Sequence, residues 1–524
     1  MTVRSPARRV LARTATALLA LPLLACGATT PGGGAPPTGD APPADLAGFY
    51  GQAIEWEECA QYATTSIEGA VFAATEGAEC GRLDVPSNYA DPTGATAEIA
   101  VLRVSARGEP TGSLVYNPGG PGGSGLFGAA AMAMTLAENP LTEKFDLVGF
   151  DPRGVGASTP AIDCYSDEEA DRHAVPLTAF ETSVQWTSDD TRALVERCAA
   201  GSGGAEFLAQ VGTRDVARDI DVLRAVLGDE ELNFLGQSYG TRLGAVYAEQ
   251  FPQNVRAMVL DGGIDPKQGT VERRVDAYTG FQGAFERMAA FCATQQDCPL
   301  GTDPANATQA FQEIVRPLLN APVPALHGEI GFDEAVSGVI SGLYDQNAWP
   351  RIIAGLTEIT QGRGDELLQL GYDFAMRDPE GAWPNFYEAN YAVNCMDEER
   401  LSPEEGAELR AAIFAAAPFM DPGIELVGAR DGCEHWPAEP NLGYPYADDV
   451  SGLTDTLVVS ITGDPTTPHA GALSLADSLG SALLTVEGEG HGVVGTGANA
   501  CVNDIVAAYL IDLELPGEGA TCSP

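Results

Sequence analysis

Short apolar runs rich in β-branched and aromatic residues recur through the first half of the chain, at 99–104, 113–116, 145–150, 232–235 and 257–260. Each is bounded by turn-forming residues and is too short for a helix, so each predicts a strand buried on both faces. Between them the period changes. Val216, Ile220, Leu223 and Leu227 share one face of a helix over 213–227, with Thr213 as its N-cap and Gly228 as its stop. Strands alternating with helices predict an α/β architecture, a mostly parallel sheet with helices on both faces.

From about residue 266 to 443 the pattern turns helical, over 271–292, 305–319, 332–343, 349–361, 366–376 and 403–417. Strand signals return only at 456–462 and 482–486, and a closing helix is predicted over 502–513. Two strands alone cannot bury both of their faces. The economical reading is one α/β domain formed by 49–265 and 444–524, interrupted by a mainly helical insertion, 266–443, that serves as a lid.

The first residues read as an address. Arg4, Arg8, Arg9 and Arg13 precede an apolar run over 15–24, which is about half of the ~20 residues needed to span a bilayer. Residues 1–25 are therefore predicted to be a signal peptide, and Leu23-Leu24-Ala25-Cys26-Gly27 resembles a bacterial lipobox in which Cys26 becomes the lipidated N-terminal residue. Residues 26–48 then form a tether rich in Gly, Pro, Ala and Thr, and the membrane is a partner through the acyl chain. Setting Cys26 aside leaves 10 of the 11 cysteines, an even number suited to an oxidising compartment. Sequence leaves their connectivity open, and the natural arrangement pairs neighbours: Cys59 with Cys80, Cys164 with Cys198, Cys292 with Cys298, Cys395 with Cys433, Cys501 with Cys522.

Charge and composition narrow the function. With 28 basic and 74 acidic residues the net charge is −46, which repels phosphate and excludes a basic nucleic-acid footprint. The chain is 44% hydrophobic and only 19% charged, enough to bury a full core. No metal cluster, nucleotide loop or haem motif is present in the sequence, so no cofactor and no metal are implied.

Gly236-Gln237-Ser238-Tyr239-Gly240 stands between a predicted strand and a predicted helix, 241–250. That is the context a nucleophile elbow needs: the turn is too tight for β-carbons at the flanking positions, and the serine hydroxyl projects above the sheet. A hydroxyl must lose its proton to attack, so a histidine has to reach Ser238. Of the five histidines, His173, His327 and His435 read as loop or surface residues and His469 as a helix start, whereas His491 follows the last strong strand in Gly488-Glu489-Gly490-His491-Gly492. The α/β-hydrolase order of Ser, acid, His selects His491 as base and Asp464, at the preceding strand end, as the orienting acid; Asp261 is the rival. Tyr116-Asn117-Pro118-Gly119-Gly120-Pro121-Gly122-Gly123 supplies a backbone loop for an oxyanion, with one donor expected from Gly119 or Gly120 and the other from Tyr239.

These segments, with Asp151-Pro152-Arg153-Gly154-Val155-Gly156, Leu260-Asp261-Gly262, Asn394-Cys395-Met396-Asp397 and Gly463-Asp464-Pro465-Thr466-Thr467-Pro468, resemble secreted actinobacterial tripeptidyl aminopeptidases. Those belong to the proline-iminopeptidase-like group of α/β-hydrolases, which also includes mycobacterial envelope lipoproteins described as carboxylesterases and as serine proteases. The resemblance implies a helical lid, a peptide or protein substrate, and acidic lid residues that hold the substrate's α-ammonium. Asn394, Asp397 and Glu398 are the candidates here. The function expected is an exported serine exopeptidase acting through an acyl-enzyme, with a carboxylesterase using the same triad as the alternative.

Overall fold

The computed structural model describes residues 44–172, 187–424, 430–448 and 450–523. The signal peptide, Cys26, most of the tether and His173 lie outside these residues. Nine strands form one sheet: β1 (Ala78–Pro86), β2 (Thr96–Val104), β3 (Gly112–Asn117), β4 (Phe145–Phe150), β5 (Leu232–Gln237), β6 (Val255–Asp261), β7 (Leu457–Gly463), β8 (Ala482–Glu489) and β9 (Ala520–Cys522). Their spatial order is β1-β2-β4-β3-β5-β6-β7-β8-β9. β2 is antiparallel to both β1 and β4, and the pairs from β4 through β9 are parallel.

Alternation along the strands splits the core in two. Val115, Phe234, Met258, Leu260 and Val458 face one side, under helices Thr213–Leu227 and Tyr239–Gln250. Leu114, Tyr116, Leu235, Val259, Leu457 and Val459 face the other, under helices Gly125–Thr135 and Ala500–Asp512. Burial on both faces is why the central strands read as continuous apolar runs.

Between β6 and β7 the chain leaves the sheet and forms a helical layer with its own core. Phe285 stacks on Phe419 at 4.8 Å, and Phe311 meets both rings edge-on. Helices Thr270–Ala293, Phe332–Leu343, Trp349–Thr360, Asp365–Ala375 and Pro403–Ala416 lie close to the predicted bounds. The predicted helix over 305–319 is shorter, Ala307–Val315, and tightens into 3₁₀ turns at Pro304 and Pro317. A helix that the pattern did not announce, Phe386–Asp397, crosses toward the sheet.

All five neighbour pairings form disulfides. Cys395–Cys433 fastens the end of helix Phe386–Asp397 to the segment that returns to the sheet. Thr213 is not an N-cap as expected. It is the first helical residue, capped by Gly212, and its hydroxyl is spent elsewhere.

Candidate active site

Ser238 sits between β5 and helix Tyr239–Gln250 at φ 56° and ψ −121°, a conformation that side-chain-bearing residues rarely adopt. The flanking glycines are forced by contact: a β-carbon on Gly236 would lie 2.2 Å from the Gly240 carbonyl oxygen, and one on Gly240 would lie 2.8 Å from that of Asn117. The elbow is pinned from below by the Ser238 N–H, which donates to the Asp261 carbonyl at 2.8 Å.

His491 and Ser238 line one cavity of about 520 Å³. The Asp464 carboxylate lies 2.8 and 3.0 Å from His491 Nδ1, so that nitrogen carries the proton and Nε2 is left for the serine. Asp464 is itself held by the N–H groups of Thr466 and Thr467 and by the Thr467 hydroxyl, at 2.8–3.0 Å. This explains the Asp-Pro-Thr-Thr sequence as a turn built around one carboxylate. Burial of the imidazole opposes its positive form, but the charge and hydrogen bond of Asp464, with Asp261 adding, hold its pKa above the ordinary 6.5. The helical layer reaches this loop too: the Tyr344 carbonyl accepts the His491 N–H at 3.0 Å, and the two rings meet edge-on.

Asp261, the rival acid, is fully buried and does a different job. Its Oδ2 accepts from Gln237 Nε2 and from the N–H groups of Val493 and Val494, at 2.7–3.0 Å. Gln237 also donates to the Val494 carbonyl and accepts from the Tyr116 hydroxyl. Asp261 and Gln237 thus tie the elbow to the turn that follows His491, a connection that sequence reasoning missed because both residues mattered only through spatial neighbours.

The glycine-rich loop presses on the elbow. A β-carbon on Gly119 would meet the Gln237 carbonyl at 2.5 Å and Ser238 Cβ at 2.9 Å. The Gly119 N–H already donates to Asn117 Oδ1 at 3.1 Å, while Gly120 lines a cavity with Ser238 and Tyr239. His469 bonds Ser460 and His435 bonds Ser188, away from the elbow.

The three residues expected to hold the α-ammonium lie in different surroundings. Asp397 lies inside the protein: it accepts the Thr213 N–H and hydroxyl at 2.9 and 2.5 Å and pairs with Arg242 at 3.4 Å. Thr213, whose hydroxyl lies 2.7 Å from that of Tyr239, extends this support to Tyr239. Glu398 does line a second cavity beside Ser238, of about 270 Å³, but Arg273 and Arg274 both pair with it and neutralise its charge. Asn394 lines the same cavity and donates to Asn390, which in turn donates to the Pro121 carbonyl of the glycine loop.

Residues 112–498 match the family described as alpha/beta hydrolase fold. The chain belongs to that family. Among the relatives of this α/β hydrolase, Serine protease Hip1 of Mycobacterium tuberculosis is 41% identical over 486 residues, covering 90% of this chain and 91% of that protein. Carboxylesterase B of the same species is 38% identical over 478 residues, with 90% of each chain covered. Tripeptidyl aminopeptidase of Streptomyces coelicolor is 31% identical over 500 residues, covering 90% of this chain and 86% of that one.

Proposed function

We propose that this α/β hydrolase is an extracytoplasmic serine peptidase that releases short peptides from free N-termini. The observation that carries the reading is His491, bonded to Asp464 at 2.8 Å and sharing a cavity with a serine on a strained elbow. Ser238 Oγ attacks the substrate carbonyl carbon while its proton passes to His491 Nε2. The oxyanion forms against the N–H groups of Gly120 and Tyr239, and collapse expels the amine with the proton from His491. Water then hydrolyses the acyl-enzyme by the same route. Asp464 remains ionised throughout and stabilises the imidazolium.

Relatives that are a serine protease and a tripeptidyl aminopeptidase support a peptide substrate. The kinship with Carboxylesterase B supports a second reading, an esterase, and Phe127, Phe374 and Phe386 on the wall of the larger cavity suit an acyl chain. Comparing kcat/KM on peptide anilides with free and blocked N-termini, in wild type and Ser238→Ala, separates the two. A strong preference for free N-termini that vanishes in Ser238→Ala supports the peptidase; turnover of acyl esters alone supports the esterase.

Five disulfides support export. Attachment to the membrane through lipidated Cys26 belongs to the same proposal. Cys26→Ser is expected to move the protein from the membrane to the soluble fraction on ultracentrifugation, and an unchanged distribution would reject the anchor.

A further inference from the structure

Apart from the two cavities at Ser238, a smaller one of about 70 Å³ lies where the helical layer meets the loop that follows β4. Tyr372, Trp383 and Tyr387 form aromatic walls, and the carboxylates of Asp167, Glu334 and Glu388 stand among them. Its described lining contains no Lys, Arg or His. The three carboxylates accept backbone N–H groups, from Trp383 to Asp167, Gly331 to Glu334, and Cys164 and Tyr165 to Glu388, and among the described residues none is in an ion pair. The cation beside Tyr372, Arg377, is committed to Asp171 in a two-point pair at 2.6 and 2.9 Å.

Two further features point to a ligand. Tyr372 is only 3% exposed, yet its hydroxyl has no hydrogen-bond partner among the described residues, a costly state for a buried polar group. Trp383 stands at 87° to the Tyr372 ring, 5.4 Å away, and its Nε1–H is fixed on Asp171, so the cage is held open in one geometry. Burial, with Asp163 and Asp167 adding, pushes the Glu388 carboxyl up to about 7, as expected where negative charge lacks a counterion.

We propose that this cavity binds a primary ammonium on a flexible stem, the kind carried by a lysine side chain of a peptide substrate. Aromatic faces attract a cation, and the carboxylates match its charge. An anion is repelled by three carboxylates, and among the described residues these carboxylates do not converge into a group that could hold a metal ion. Ser337 and Tyr387 also wall the cavity beside Ser238, so a chain lying across the elbow can send a side chain into the cage. The site therefore adds selectivity at a residue removed from the bond being cut.

The test is calorimetric titration of the full chain with Nα-acetyl-lysine amide and its neutral isostere Nα-acetyl-norleucine amide, with choline as a third ligand. The lysine amide is expected to bind roughly tenfold more tightly than the norleucine amide. That ratio is expected to fall toward one in Glu388→Gln, which keeps an oxygen for the Cys164 and Tyr165 N–H groups, and to persist in Ser238→Ala. Equal affinities in the wild type, a ratio untouched by Glu388→Gln, or tighter binding of choline would each overturn the proposal. Fluorophosphonate labelling of Ser238 tests the hydrolase reading separately, so failure of either leaves the other standing.

Discussion

The backbone at Ser238 is held at positive φ by a glycine on either side and by the Asp261 carbonyl beneath it. Around that point the two aspartates have separate tasks. Asp464 bonds the imidazole, so Asp464→Asn is expected to lower kcat by about 10³–10⁴ through the wrong tautomer and lost charge. Asp261→Asn keeps one oxygen for the N–H groups of Val493 and Val494, so its loss is expected to be smaller and to come with a lower melting temperature. Steady-state kinetics on both variants checks this, and the reverse ranking would transfer the acid's role. Because His491 titrates above 6.5 and only its neutral form accepts a proton, kcat/KM is expected to rise with pH through that raised pKa. In Asp464→Asn the acid limb should move to lower pH, measurable on the residual activity.

At the scale of elements, the seam between helix Phe386–Asp397 and the N-terminus of helix Thr213–Leu227 is a buried polar cluster. Asp397→Ala strands Arg242 without its partner, and breaking such a pair costs about 3–5 kcal/mol. Differential scanning calorimetry should show a large drop in melting temperature, while the preference for free over blocked N-termini stays as in wild type. Helix Phe332–Leu343 was legible to the residue from its apolar stripe. Helix Phe386–Asp397 was not, because Ala389, Tyr391, Ala392, Val393, Cys395 and Met396 are buried on several faces and leave no amphipathic period to read. Strand β1 was missed for the opposite reason: an edge strand with Glu79, Arg82 and Asp84 has only one apolar face, and Gly81 interrupts it.

For the whole molecule, a net charge of −46 pushes the chain outward, and the disulfides oppose that by shortening the unfolded chain. Cys395–Cys433 closes a loop of 38 residues and joins helix Phe386–Asp397 to the returning segment. Replacing both cysteines by serine is expected to cost about 2–5 kcal/mol in urea unfolding. It should cost activity as well, since Asn390 on that helix supports the glycine loop at Pro121. A double serine variant with unchanged stability and turnover would show the clamp to be dispensable.

The sequence by itself determined the strand and helix alternation, the elbow, and the order of serine, acid and histidine. These are local patterns or orderings along the chain, written in period, turn chemistry and neighbouring position. Tertiary structure alone decided which acids were free to act. Asp397 and Glu398 looked available in sequence, yet Thr213, Arg242, Arg273 and Arg274 arrive from elsewhere and consume their charge. Asp261 became a support of the histidine turn, and the Gly119 N–H donates to Asn117. A carboxylate's role depends on what lies within a few ångströms of it, and those neighbours are set by packing across the sheet, far from it in the chain.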